Sequence, residues 1–154
     1  MLPNISLLLC LAALAAASPR PAGQPLLRRS YTRSCDDCTL SDTHYLHCYC
    51  WNAGGRRVET EIDLDWCVTN SGGKLAPKAN GAFSKSCSHE RWDEGTTTVL
   101  MAYCGDGRGG AKDSKLDLDN FIHNSNGILA CHGISGVEGK VPGGANCPHP
   151  HTRC

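Results

Sequence analysis

The sequence predicts an all-β domain made of two copies of one unit of about 50 residues. Disulfides hold it, and the chain that carries it is exported. Three observations lead there: an internal repeat, a cysteine count that becomes even once a leader is removed, and segments whose apolar and polar residues alternate.

The chain has 154 residues, a length that suits one domain. Residues 1–17 form an apolar run too short to span a bilayer as a helix. It closes on Ala15-Ala16-Ala17, the small-residue pattern that signal peptidase accepts, and it lacks a basic start. We read it as a signal peptide; as a buried helix it would have nothing before it to pack on. Residues 18–29 are proline-rich, have no hydrophobic period and end in Arg28-Arg29. Two readings stand side by side here. One is a pro-segment cut after the dibasic pair by a kexin-type protease, with Ser30 as the mature start. The other is a plain disordered linker. Residues 132–154 are rich in glycine, proline and cysteine and read as a C-terminal extension pinned back by disulfides.

Cys10 is one of eleven cysteines and lies in the leader, which leaves ten in the exported part. An even set in a short exported chain reads as a disulfide framework. Aromatic residues make up only 6% of the chain, so the core is thin and covalent staples supply stability that packing cannot. The first 29 residues take three of the 15 bases and none of the 15 acids, leaving twelve bases against 15 acids. That mild negative balance lacks the electrostatic footprint of a nucleic-acid binder. No second apolar run could span a bilayer, so neither nucleic acid nor membrane is an expected partner.

Residues 50–75 align with residues 104–129 without a gap, and nine of the 26 positions are identical where chance gives about one or two. Cys50 matches Cys104. Ile62-Asp63-Leu64-Asp65 matches Leu116-Asp117-Leu118-Asp119, and Asn70-Ser71-Gly72-Gly73 matches Asn124-Ser125-Asn126-Gly127. Upstream, Tyr31-Thr32-Arg33-Ser34-Cys35 resembles Phe83-Ser84-Lys85-Ser86-Cys87. The repeats therefore run from about 30 to 80 and from 81 to 131. The distance to the next matched cysteine is two residues longer in the second repeat, which predicts a longer hairpin loop around residues 89–95.

Within each repeat the elements follow in order. Residues 45–51 and 96–103 are rich in β-formers. Thr60, Ile62, Leu64 and Trp66 alternate with polar residues, a strand with one apolar face. Residues 66–69 and 120–123 are expected as single helical turns. They lead into Asn-x-x-Gly turns that place Gly73 and Gly127 where positive φ is needed. Residues 52–55 and 105–110 are glycine-rich loops.

Equivalent cysteines should do equivalent things, which predicts Cys35–Cys50 and Cys87–Cys104. Antiparallel partners have a near-constant sum of residue numbers, and Cys38 with Cys48 nearly shares the sum of Cys35 with Cys50, so a nested bridge is expected there. For the remaining four, Cys67–Cys131 with Cys147–Cys154 is the arrangement we expect, on weaker grounds.

Asp63 with Asp65, and Asp117 with Asp119, look like paired carboxylates of an acid/base catalyst. The plainer reading is the polar face of a strand. His47-Cys48-Tyr49-Cys50 and the tail with Cys147, His149, His151 and Cys154 carry zinc-ligand residue types. In an exported chain cysteines favour disulfides, and oxidised cysteines neither ligate metal as thiolates nor attack as nucleophiles. His149 and His151 alone keep the option of copper or zinc. No nucleophile elbow, phosphate loop or dinucleotide fingerprint is present. We expect no catalysis, no metal and no cofactor.

In both repeats a cysteine is followed twelve residues on by Ile/Leu-Asp-Leu-Asp and then by Asn-x-x-Gly-x-Leu, with Tyr31 or Phe83 four residues before the first cysteine. Over residues 30–131 this resembles the cyanovirin-N homology family, and the dibasic site and secretion are similar to its fungal members. The resemblance implies an elongated, pseudo-two-fold all-β fold in which the repeats exchange strands. It also implies a secreted lectin for mannose-containing oligosaccharides or glycoprotein glycans, without metal, as a monomer or a domain-swapped dimer.

Carried over by position, the resemblance implies a first site at Arg33, Ser34, Trp51, Asn52, Ala53, Asn124, Ser125 and Asn126. Its pseudo-symmetric partner falls at Thr69, Asn70, Ser71, Lys85, Ser86, Gly105, Asp106 and Gly107. Asn and Asp offer paired donors and acceptors for vicinal hydroxyls, and Trp51 is a candidate stacking surface. The second site has glycine at two of the three positions after its cysteine, so the first is expected to be the stronger. Two plainer readings stay open: Asn70 and Asn124 as turn caps, and Trp51 packed on the sheet. The alternative for the whole chain is a secreted interaction protein that keeps the fold without binding sugar.

Overall fold

The computed structural model describes residues 30–41 and 44–140. The expected signal peptide, the segment read as a pro-segment or linker, the tail histidines and the expected Cys147–Cys154 bond lie outside the described residues.

Each repeat opens with a single 3-10 turn, Tyr31–Arg33 or Phe83–Lys85, whose aromatic residue is fully buried. A three-stranded antiparallel meander follows. In repeat one it comprises β1 (Cys35–Ser41), β2 (Tyr45–Trp51) and β3 (Arg57–Asp63). Then comes a hairpin of β4 (Val68–Asn70) and β5 (Leu75–Pro77). In repeat two the meander is β6 (Cys87–Trp92), β7 (Val99–Gly105) and β8 (Ala111–Asp117), and the hairpin is β9 (His123–Ser125) with β10 (Ile128–Cys131).

The hairpins are exchanged. Hairpin β4–β5 packs on β8, where the Leu75 N–H donates to Ser114 Oγ at 2.9 Å. Hairpin β9–β10 packs on β3, where the Leu129 N–H donates to Thr60 Oγ1 at 3.1 Å. Each hydroxyl is buried and satisfies a backbone donor that has no ladder partner at that point. The apolar faces meet in one core that draws equally on both repeats, with Leu46 and Leu100, Leu64 and Leu118, and Leu75 and Leu129 in equivalent places. Where the linker between the repeats crosses β4, a Cβ on Gly81 would lie 2.2 Å from the Val68 carbonyl oxygen, so only glycine fits.

Four disulfides occur among the described residues. Cys35–Cys50 and Cys87–Cys104 join the first two strands of each meander, and Cys38–Cys48 is nested inside the former. Cys67–Cys131 ties one repeat to the other across 64 residues.

The structure shifts several expected boundaries. Asp63 Oδ1 accepts the Asp65 N–H, and Asp117 Oδ1 the Asp119 N–H, at 2.8 and 3.1 Å. These caps stop β3 and β8 and start 3-10 turns at Leu64–Trp66 and Leu118–Asn120, upstream of the expected 66–69 and 120–123. Leu64 and Trp66 therefore sit in a turn, not on the strand face. The longer second hairpin is also displaced from residues 89–95. His89, at φ 58°, lies in a bulge of β6 that mirrors the bulge at Asp37 in β1, and the added loop spans 93–98. Finally, the fold does not stop at 131. β11 (Ile134–Ser135) pairs with β10, and β12 (Val137–Glu138) adds a fourth strand beside β3. The first part of the expected extension belongs to the domain.

Candidate functional site

The residues implied for the first site do come together. Asn124 Nδ2 donates to Ser34 Oγ at 2.9 Å and to the Trp51 carbonyl at 2.8 Å, while its Oδ1 accepts the Gly127 N–H at 2.6 Å. Its carboxamide is thus spent on capping its own turn and fixing that turn to the other repeat. Asn52 Oδ1 accepts the Arg56 N–H at 2.9 Å and closes the 52–56 loop. Asn126 Oδ1 accepts the Ala53 N–H at 2.8 Å and bridges the loop to the turn. Arg33 and Ser125 are exposed. Trp51, at the end of β2, is 47% exposed.

The second end repeats the frame. Asn70 Nδ2 donates to Ser86 Oγ at 2.9 Å and to the Gly105 carbonyl at 2.8 Å, and its Oδ1 accepts the Gly73 N–H at 2.8 Å. Asp106 Oδ1 accepts the Arg108 and Gly110 N–H groups at 2.7 and 2.9 Å, as Asn52 does for its loop. These two bonds hold the Asp106 carboxyl below the usual carboxylate range. The carboxylate's other oxygen, Oδ2, accepts none of these bonds.

The ends differ at one bridge. Gly72 stands where the first end has Asn126, and a Cβ there would meet nothing within 4 Å. With no side chain to span the gap, a cleft of about 440 Å³ opens between the turn and the loop, lined by Asn70, Gly72, Ser86, Gly105, Asp106 and Gly107. The expected ranking rested on counting side chains. The glycines at 105 and 107 remove side chains and leave the Asp106 side chain and the Gly107 backbone on the cleft wall. Of the residues implied there, Thr69 stays in the β4–β5 ladder opposite Ala76, while Ser71 and Lys85 are exposed beside the cleft. Gly72 lines the cleft though residue type alone does not single it out; the gap-free repeat alignment sets it against Asn126.

Of the paired aspartates, Asp63 and Asp117 end strands β3 and β8, while Asp65 and Asp119 lie in the 3-10 turns that follow. Asp65 accepts the Ser84 N–H at 2.9 Å and the Ser84 hydroxyl at 2.5 Å, and Asp119 accepts the same two groups of Thr32 at 3.1 and 3.0 Å. Asp65 and Asp119 thereby fasten the opening turn of the opposite repeat. His44, Asp63 and Asp65 bring possible ligand atoms within 4.8 Å of one another, but both carboxylates are already backbone acceptors. Cys48 and Cys50 are oxidised, so the His47 segment offers no thiolate, and His47 Nε2 pairs with Glu59 at 2.9 Å. Beside the first end, Arg57 pairs with Asp36 and Asp37 and lies 4.3 Å over the Tyr49 ring.

Fold and frame together define a class: an all-β, disulfide-stapled domain of two tandem repeats that exchange hairpins and present a turn against a loop at each end. The model of the CVNH domain matches residues 31–135, and the chain belongs to this cyanovirin-N homology family. Among solved structures it is similar to a designed cyanovirin-N homolog lectin, LKAMG, with 30% identity and a TM-score of 0.60 over 67% of this chain and 99% of that one. It is also similar to the CVNH protein of T. borchii, with 31% identity and a TM-score of 0.57 over 67% and 99%. A third, microvirin solved with mannobiose, shares the fold at 23% identity and a TM-score of 0.57 over 66% and 97%. No curated protein matches the chain.

Proposed function

We propose that the chain is a secreted carbohydrate-binding protein without catalytic activity, and that its principal site is the Asn70–Asp106 cleft. The observation that carries this reading is the opening left by Gly72. It leaves the Asp106 side chain, whose Oδ2 takes neither loop bond, and the Gly107 backbone together in one concave place. A pyranose offers vicinal hydroxyls that donate to a carboxylate and accept from backbone N–H groups. The designed homolog described as a lectin, and microvirin bound to mannobiose, support a mannose-type oligosaccharide as the ligand class. We rank the Trp51 end as the lesser site, because the Asn126 carboxamide there bridges the turn to the loop at the Ala53 N–H.

Residues 1–17 as a signal peptide and 18–29 as a removed pro-segment fit an oxidising route to the cell exterior, which the four disulfides require. The family match begins at residue 31, two residues after Arg29. N-terminal sequencing of the secreted product tests this: Ser30 is expected, and a start at Ser18 contradicts processing.

Calorimetric titration of the secreted protein with α-mannobiose tests the function. Saturable binding that Gly72→Asn abolishes is the expected result. No binding at millimolar sugar favours the alternative, an interaction protein that keeps the fold alone.

A further inference from the structure

The two ends differ in charge as well as in shape. In the gap-free repeat alignment Lys74, Arg108 and Lys112 stand where the first end has Ile128, Gly54 and Val58. All three cations border the cleft. Arg108 follows the lining residue Gly107, and Lys74 follows Gly73 at the end of the Asn70 turn. Lys112 lies over that turn, its Cε 2.9 Å from where a Cβ on Gly73 would be. Strand alternation puts Lys112 on the same face of β8 as Ser114, whose hydroxyl holds the hairpin, and turns Asp113 to the opposite face. Lys85, next to the lining residue Ser86, adds a fourth cation. All four are exposed, and none takes part in an ion pair among the described residues. Asp106 is the one acid in the lining, and its Oδ1 is occupied by two backbone donors.

A neutral sugar can accept hydrogen bonds from such a rim but leaves its positive charge uncompensated. We propose that the glycan taken by the Asn70–Asp106 cleft carries an anionic substituent, a phosphate, sulfate or carboxylate, which Lys74, Arg108 and Lys112 receive while Asp106 and the backbone hold the sugar ring. This rests on the cleft being the sugar site. Exposed cations act weakly one by one and more strongly together on a single anion held among them. Their action is screened within about 8 Å at physiological salt. The preference for an anionic glycan is therefore salt-sensitive, whereas contacts with the ring are not.

The test is calorimetric titration of the secreted protein with α-mannobiose, its 6-phosphate, its 6-sulfate, a mannuronic acid disaccharide and inorganic phosphate, at low and high salt. At least one anionic disaccharide is expected to bind about tenfold more tightly than mannobiose at low salt, with most of that gain lost at high salt. Whichever anionic arm gains most identifies the substituent. The variant K74Q/R108Q/K112Q should lose the gain and keep its mannobiose affinity. Equal affinity for neutral and anionic disaccharides overturns the inference and leaves the sugar site standing. Inorganic phosphate binding as tightly as the phosphorylated sugar also overturns it, since the anion would then be bound without the ring. If no saccharide binds in any arm, the proposed function fails and the inference with it.

Discussion

The Asn126 carboxamide oxygen accepts the Ala53 N–H at 2.8 Å, and this bond gives the two ends of the molecule different shapes. Its counterpart Gly72 has no side chain to make it, so the first end is bridged and the second is an open cleft.

Exchanging the two residues should exchange the behaviour of the ends. Gly72 has φ +60° and Asn126 has φ 54°, a backbone conformation that asparagine tolerates better than most residues. Gly72→Asn should therefore fold and place its carboxamide against the Gly107 N–H, lowering mannobiose affinity at least tenfold, on the order of one lost hydrogen-bonding contact in a dry site. Asn126→Gly should open the first end and add a second binding event in the titration.

Asp106 should carry the ring contact as a carboxylate. Asp106→Asn keeps an oxygen for the Arg108 and Gly110 N–H groups, as Asn52 does in its own loop, so the loop survives and the charge is lost. Affinity should fall about tenfold without a change in melting temperature. The two N–H bonds lower the folded carboxyl's pKa, so it remains ionised from neutral pH through the ordinary aspartate value of about 3.9. Binding measured between pH 7 and pH 5 should be flat and should decline only as pH falls through the lowered value. The stability these bonds add has the same sign: it is present above the unfolded pKa and lost below the folded one.

Cys67–Cys131 should matter most among the disulfides. It closes 64 residues and joins the repeats, whereas Cys38–Cys48 closes ten within one meander. In the chain-entropy model that is about 4 kcal/mol against about 3 kcal/mol. Denaturant unfolding of C67S/C131S and C38S/C48S should show the first as the larger loss. The same bond marks any dimer made by exchanging repeats, because Cys67 of one chain would then pair with Cys131 of the other. Such a dimer should survive electrophoresis without reductant and separate with it.

The mirror bonds of Asp65 and Asp119 should be unequal. Ser84 is half-buried and gives Asp65 both its N–H and its hydroxyl, while the matching bonds of Thr32 to Asp119 are exposed. Ser84→Ala should cost about 1–2 kcal/mol in denaturant unfolding and Thr32→Ala less than 1 kcal/mol.

Much of this architecture is legible in the sequence because a repeat makes one half the key to the other. The equivalence of Cys35 with Cys87 and Cys50 with Cys104 places two disulfides, and the near-constant sum places Cys38–Cys48. The Asp-Leu-Asp segments were harder. Period-two alternation continues through Leu64 and Leu118, but Asp63 and Asp117 break the strand by accepting a backbone N–H two residues on, and alternation cannot show a local cap. The strands at 134–138 were invisible because two-residue strands carry no pattern of their own and form only against β10 and β3. The two ends are harder to rank from residue types alone. Asparagines at 52, 124 and 126 look like ligand contacts until their partners are known, and glycines at 72, 105 and 107 look like missing contacts until the space they leave is seen.

The central claim is that sugar enters the Asn70–Asp106 cleft. The most direct measurement is an NMR titration of backbone amides with α-mannobiose. The amides of Ser71, Gly72, Ser86, Asp106 and Gly107 should shift together and saturate, before any change at Asn52, Ala53 or Ser125. Shifts confined to the Trp51 end, or none at all at millimolar sugar, would contradict it.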